Sequence, residues 1–126
     1  MEKLFNFDYI EKLIEENEEF AELFASIVRR IGAYLHACEM SYLGRSAEWC
    51  FIHAEQVANS RQKIVNMLLF ANKTYSTEEE KIFLQYVRNI KASFVQDELI
   101  ETFYFQVWER DLLDNKRVKE ILSHIR

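Results

Sequence analysis

Residues 8–40 read DYIEKLIEENEEFAELFASIVRRIGAYLHACEM, and apolar side chains recur along them at alternating steps of three and four. This spacing places the apolar residues on one side of an α-helix. The stripe consists of Ile10, Leu13, Asn17, Phe20, Phe24, Ile27, Ile31, Tyr34 and Cys38. Because it keeps one heptad phase throughout, we predict a single unbroken helix over 8–40 that begins at Asp8, with Glu11 completing a capping box.

The rest of the chain is also poor in residues that interrupt helices. It has no proline and only two glycines among 126 residues. Proline removes a backbone donor and glycine adds backbone entropy, so a chain with helical spacing and so few of either is expected to be all-α. We predict one all-helical domain over 1–126, a helical bundle built on a long antiparallel helix hairpin with about three shorter helices.

The second arm of the predicted hairpin covers 46–73. Gly44 lies in a short polar segment that suits the turn between two antiparallel helices. Ser46 is a preferred N-cap residue, and Glu48 would lie in the first turn, where a negative charge is favourable.

The last third of the chain is expected to hold three shorter helices. Ser76 and Glu79 form a capping box that starts the first of them, which carries an apolar face as far as Phe94. The apolar phase is lost at 96–98, where we predict a bend or short break. A second helix then carries apolar residues from Leu99 to Trp108, and a third follows 114–115.

Net charge and cysteine content limit the partners to be expected. The chain carries a net charge of −5, whereas binding to nucleic acid or to an anionic membrane relies on basic residues. No apolar run approaches the roughly 18 residues that span a bilayer. Two cysteines are too few for a disulfide scaffold, which favours a cytoplasmic protein with reduced thiols. We therefore expect no membrane partner, no nucleic acid, and a protein as the binding partner.

Aromatic residues make up 14% of the chain. Each buried aromatic side chain removes roughly 150–250 Å² from water, and a small helical domain can hide only part of that total. The helix that carries Phe103, Tyr104, Phe105 and Trp108 is apolar around more than half its circumference, which predicts an interaction surface there. We expect a small, acidic, non-enzymatic regulatory domain that binds another protein and self-associates into a homo-oligomer.

Metal ligands are sparse in the sequence. Cys38, Cys50 and His53 flank the predicted turn, but zinc requires four converging ligands. His36 lies two residues from Cys38 and therefore points to another side of the helix. We expect thiols packed as small apolar groups, and no metal or cofactor.

Several polar residues fall on or beside the apolar sides of the two long helices. They form a predicted polar waist of Asn17, His53, Ser60 and Arg61. An unpaired buried polar group costs about 1–3 kcal/mol, so such residues are usually paired or functional. They would fix the register of the helices or, as an alternative, line a pocket in a small-ligand-binding helical bundle.

Two arginine–histidine pairs suggest a different function. Six residues separate Arg117 from His124, and six separate Arg29 from His36. A seven-residue step returns to the same helix face, where an imidazole could accept a proton while a guanidinium holds a phosphodiester. This short motif resembles that of the HEPN domains, small all-helical proteins, and implies a metal-independent ribonuclease or toxin-partner function with these four candidate catalytic residues. The polar residue that commonly follows the family's arginine is Val118 here.

Overall fold

The computed structural model describes residues 6–39, 46–75 and 93–124, and in these ranges the chain is helical, without strands. The α-helices are α1 (Phe7–Glu16), α2 (Glu18–Glu39), α3 (Ala47–Tyr75), α4 (Ser93–Glu109) and α5 (Lys116–His124), with a 3-10 turn at Leu112–Asp114. The predicted all-α class is confirmed. None of the described helices is long and apolar enough to cross a lipid bilayer.

The first predicted helix is two helices, and the prediction of an unbroken helix over 8–40 is wrong. Asn17 has extended backbone angles (φ −128°, ψ 108°) and its N–H donates to the Leu13 carbonyl at 2.8 Å, which ends α1. Its side-chain oxygen accepts from the Phe20 N–H at 3.1 Å, which begins α2. Asparagine is a favoured N-cap because its side chain replaces a missing helical acceptor. The three-and-four spacing of apolar residues continues across Asn17, because α1 and α2 both pack their apolar sides against the same core.

The start of α1 also differs from the predicted capping box at Asp8. Asn6 is the N-cap, and its side chain accepts from the Tyr9 N–H at 3.2 Å. The carboxylates of Asp8 and Glu11 instead accept hydrogen bonds from Arg110 Nη1 at 2.8 and 3.2 Å. These two acids therefore connect α1 to the end of α4.

The predicted second helix agrees with α3 to within two residues at its end. Ser46 is the N-cap, since its hydroxyl oxygen accepts from the Trp49 N–H at 3.1 Å. The helices α2 and α3 run in opposite directions, because His53 contacts Ala37 while Arg61 contacts Tyr34. The predicted turn at 41–46 lies outside the described residues except for Ser46, and the hairpin connection stays a prediction.

The predicted break at 96–98 is wrong, because α4 runs through these residues without interruption. The polar side chains there face α3: Gln96 donates to Gln62 at 3.2 Å, and Asp97 accepts from Arg61 at 2.9 Å. The loss of apolar phase thus reflects a polar contact between two helices. The predicted capping box at 76–79 and the helix that follows it lie outside the described residues.

The last predicted helix is confirmed as α5. Asn115 caps it by accepting from the N–H groups of Arg117 at 3.0 Å and Val118 at 3.2 Å. The side chain of Val118 is fully buried, so α5 covers one end of the core.

The core is built around aromatic contacts among α1, α2 and α4. The Phe103 ring of α4 lies 5.4 Å from that of Phe7 and 6.0 Å from that of Phe24, measured between centroids. Aliphatic side chains fill the space between α2, α3 and α4. They include Ile27, Ile31, Ile64, Leu68, Ile100 and Val107, each at most 2% exposed.

Candidate functional site

Three helices meet at a group of hydrogen-bonded side chains, which we call the polar cluster: Tyr34 of α2, Arg61 of α3 and Asp97 of α4. Arg61 Nε donates to Asp97 Oδ1 at 2.9 Å and to the Tyr34 hydroxyl oxygen at 3.1 Å. The Tyr34 hydroxyl in turn donates to Asp97 Oδ1. Each of the three residues therefore bonds to both of the others.

Burial and hydrogen bonds together shift the pKa values of Tyr34 and Arg61 in the polar cluster. Tyr34 is only 4% exposed. Its burial raises the pKa of the phenol above the ordinary value, and the hydrogen bond to Asp97 raises it further. Burial alone would lower the pKa of Arg61, but hydrogen bonds to Asp97 and Tyr34 raise it overall. A protonated phenol and a charged guanidinium both hydrogen-bond to the Asp97 carboxylate, and these bonds link α2, α3 and α4.

The predicted polar waist is only partly assembled. Arg61 is in the polar cluster. The sequence pattern does not identify its other members, because it places Tyr34 in the apolar stripe and predicts a break at Asp97. Asn17 caps α2 at the opposite end of that helix, about 25 Å from Tyr34 at 1.5 Å per residue. Ser60 is exposed.

His53 joins the ends of α2 and α3. Its Nε2 donates to the Ala37 carbonyl at 2.9 Å, which lies in the last turn of α2. The imidazole therefore links the end of α2 to the second turn of α3. The ring also stacks on Trp49, with 4.5 Å between centroids.

A groove of about 240 Å³ runs between α2 and α3, beside the polar cluster. Its polar lining includes Arg30, Tyr34, His53, Gln56 and Ser60, and none of the described residues that line it is acidic. Two predicted waist residues, His53 and Ser60, therefore share one concave surface without contacting each other directly.

The first arginine–histidine pair lines a cleft between α2 and α5. Arg117 and His124 lie there with the carboxylates of Glu18, Glu22 and Glu120 around a volume of about 630 Å³. Arg117 Nη1 donates to the backbone carbonyl of Glu15 at 3.4 Å. Glu15 lies in the last turn of α1, where a cation is stabilising. The three carboxylates of the cleft would repel an RNA phosphate. Both observations favour a structural role for Arg117.

The second pair, Arg29 and His36, lies on the exposed side of α2. Within the described ranges, neither side chain makes a hydrogen bond or an ion pair. Neither residue lines the groove between α2 and α3 or the cleft between α2 and α5, so among the described residues no observation places a phosphodiester beside the imidazole.

The predicted aromatic surface divides into a buried and an exposed part. Phe103 is 3% exposed and belongs to the core, so its assignment to an interaction surface is wrong. Tyr104 is half-buried, and a Cβ added at Gly32 would lie 3.6 Å from its hydroxyl oxygen. Phe105 and Trp108 are 67% and 59% exposed. The Trp108 ring packs edge-on against Tyr104 with 6.2 Å between centroids.

The exposed aromatic residues share one side of α4 with three acidic residues. Glu98, Glu101 and Glu109 are exposed and share a side of α4 with Phe105 and Trp108, since their spacing places all five within about 100° around the helix. The sequence of α4 contains no lysine, arginine or histidine. We call these five residues the acidic aromatic face.

Metal binding finds no support in the described ranges, where no three His, Cys, Asp or Glu side chains are grouped to hold an ion. Cys38 is a free, half-buried thiol, and the side chain of Cys50 lies outside the described residues. Comparison with protein-family models, curated proteins and solved structures finds no match to this chain.

Proposed function

We propose that this chain is a non-enzymatic protein-binding module whose acidic aromatic face takes a basic, amphipathic segment of another protein. The observation that carries this proposal is the exposure of Phe105 (67%) and Trp108 (59%) on a helix whose opposite side is fully buried at Ile100 and Val107. A helix that carries large apolar rings on its exposed side, in addition to a buried apolar side, is suited to packing against a partner. Exposed aromatic residues of this size are typical anchors of protein interfaces.

The energetic gain from covering these rings is substantial. At about 25 cal/mol per Å² and roughly 150–250 Å² per aromatic side chain, burying the exposed part of each ring contributes about 3 kcal/mol. Contributions of this size at two neighbouring positions match those of binding hot spots. Part of the gain offsets the entropy lost on association.

Charge defines the partner. Glu98, Glu101 and Glu109 lie on the same side of α4 as the rings, and the whole chain carries −5. Lysine or arginine residues on the partner would complement these carboxylates and accelerate encounter. A symmetric dimer through the same face would set carboxylates opposite carboxylates. A basic partner is therefore preferred to the self-association that the composition had led us to expect.

The test is affinity capture from the native host with the full chain and with Phe105→Ala and Trp108→Ala. Tyr9→Ala is the matched control, because Tyr9 is a 45% exposed aromatic residue of α1, outside this face. A partner kept by the parent chain and by Tyr9→Ala, and lost by both α4 variants, is the expected result. The partner's basic segment, made as a peptide, should then bind directly and weaken with added salt.

Two results would contradict the proposal. One is a set of captured proteins that is unchanged by both α4 variants. The other is a dimer in sedimentation velocity that Trp108→Ala converts to monomer, which would assign the face to self-association.

A further inference from the structure

We infer that the groove between α2 and α3 binds a small organic monocarboxylate with a short apolar body, and that Arg30 receives the carboxylate. Arg30 lines the groove and is exposed. Within the ranges that the structure describes, its guanidinium makes no hydrogen bond or ion pair. This site is independent of the acidic aromatic face.

The charge of the groove is opposite to that of the molecule. The chain carries a net charge of −5, yet among the described residues that line this groove none is acidic and one, Arg30, is a cation. A guanidinium offers parallel N–H donors that match the two oxygens of a carboxylate. The polar cluster beside the groove contains one carboxylate, that of Asp97. It is bonded to Arg61 and Tyr34 and not to Arg30.

The remaining lining favours a carboxylate with an apolar body over inorganic phosphate. Val57 and Ile64 contribute apolar surface, with Ala33 and Ala37 on the α2 side. Among the described lining residues Arg30 is the one arginine or lysine, so a single negative charge on the ligand is matched. The groove also runs along helix interiors, where backbone N–H groups are already bonded and cannot cradle a phosphate as a helix N-terminus does.

The groove is held open by links at the helix interface. His53 bonds to Ala37 across α2 and α3, and Arg61 bonds to Tyr34 across the same pair of helices. Binding therefore requires little reorganisation, which preserves affinity for a small ligand. A volume of about 240 Å³ is below the range of roughly 300–1,000 Å³ typical of drug-sized ligands, which limits the occupant to a small metabolite.

The experiment is a titration of the isotope-labelled full chain with benzoate, followed by amide chemical shifts at low ionic strength. Benzamide is the uncharged control, and inorganic phosphate is the anionic control without an apolar body. Three variants are compared with the parent chain: Arg30→Gln, Arg29→Gln and Ala33→Leu. Arg29→Gln is the matched control, because Arg29 is the exposed neighbour that does not line the groove.

We expect saturable benzoate binding at about millimolar concentration, with shifts at groove residues. Arg30→Gln should weaken it about tenfold through loss of a charge-assisted hydrogen bond, and Arg29→Gln should leave it unchanged within about twofold. Ala33→Leu keeps the guanidinium but narrows the groove, and it should also weaken binding.

Four results would overturn the inference. They are absence of saturable binding, equal binding of benzamide or phosphate, unchanged affinity in Arg30→Gln, and unchanged affinity in Ala33→Leu. The last would place the carboxylate on Arg30 but outside the groove. If Arg30→Gln failed to fold, Ala33→Leu and the benzamide control would still decide the question.

Discussion

Asp97 of α4 accepts a hydrogen bond from Arg61 of α3 at 2.9 Å, and the same carboxylate oxygen accepts from the phenol of Tyr34 of α2. The pair is partly shielded from water, with side chains 18% exposed at Arg61 and 36% exposed at Asp97. One carboxylate therefore fixes the positions of three helices relative to each other. Tyr34 also lines the groove that contains Arg30. Asp97 belongs to α4, the helix that carries the acidic aromatic face.

Removal of this carboxylate should destabilise the fold. Asp97→Ala leaves the Arg61 guanidinium without its anionic partner, and we expect the free energy of unfolding to fall by about 1–3 kcal/mol. Urea unfolding measures the loss. Asp114→Ala is the control, since Asp114 is 77% exposed with Lys119 3.9 Å away, and it should change stability by less than about 0.5 kcal/mol. Equal effects of the two variants would mean that the polar cluster contributes nothing beyond a surface ion pair.

The raised pKa of Tyr34 predicts a specific loss of stability at high pH. The unfolded phenol loses its proton near pH 10.0, whereas burial and the bond to Asp97 keep the folded phenol protonated to higher pH. The folded state then binds more protons, so stability falls as pH rises above 10, by at most about 1.4 kcal/mol per pH unit. Urea unfolding from pH 8 to 11 should show this slope as the difference between the parent chain and Tyr34→Phe. Parallel curves would contradict it.

Asn17 should behave as a helix cap. Asn17→Ala removes the acceptor for the Phe20 N–H and should cost about 1 kcal/mol, measured by thermal or urea unfolding. Asn17→Gly should cost only a few tenths of a kcal/mol, because glycine is tolerated at the N-cap. A gain in stability from Asn17→Ala would instead indicate that α1 and α2 fuse into the continuous helix that the apolar stripe suggests.

Phe103 and Phe105 lie two positions apart and should respond oppositely to truncation. Phe103→Ala opens a cavity beside Phe7 and Phe24 and should cost about 3–5 kcal/mol of stability. Phe105→Ala removes a 67% exposed ring and should change stability by about 0.5 kcal/mol or less while weakening partner binding. Urea unfolding and affinity capture on the same samples separate the two effects. If both variants lost partner binding only in proportion to their loss of stability, the acidic aromatic face would not be the binding surface.

The arginine–histidine pairs should prove structural. Arg117→Ala removes the bond to the Glu15 carbonyl and should lower stability by about 0.3–1 kcal/mol, as expected for a cation at a helix end. His124→Ala and His36→Ala should leave stability unchanged. The parent chain should not cleave single-stranded RNA in the absence of metal. Cleavage that His124→Ala abolishes would establish the ribonuclease alternative in place of our proposal.

The predictions that succeeded rest on local chemistry. Ser46 caps α3 and Asn115 caps α5 because side-chain oxygens satisfy N–H groups within three residues of their own position. Two of the predictions that failed, the unbroken helix over 8–40 and the break at 96–98, concern polar residues that interrupt an apolar stripe. Asn17 could be read as a cap or as a buried interruption, and the heptad phase favoured the wrong reading because α1 and α2 face one core.

The candidate sites depended on distances between residues that are far apart in the chain. Asp97 is 36 positions from Arg61 and 63 from Tyr34, and apolar periodicity does not encode which helices meet. The exposure of Phe103 and Phe105 likewise depends on contacts between distant segments, because the sequence alone does not distinguish these two phenylalanines. The packing of α4 against α1 and α2 buries the first ring and leaves the second in water.

The absence of proline and the helical spacing of apolar residues were sufficient for the helical class, because backbone conformation follows from interactions within a few residues. The polar cluster, the groove at Arg30 and the acidic aromatic face arise from the docking of those helices. Docking depends on side-chain packing between distant segments, and many arrangements of amphipathic helices satisfy the same periodicity.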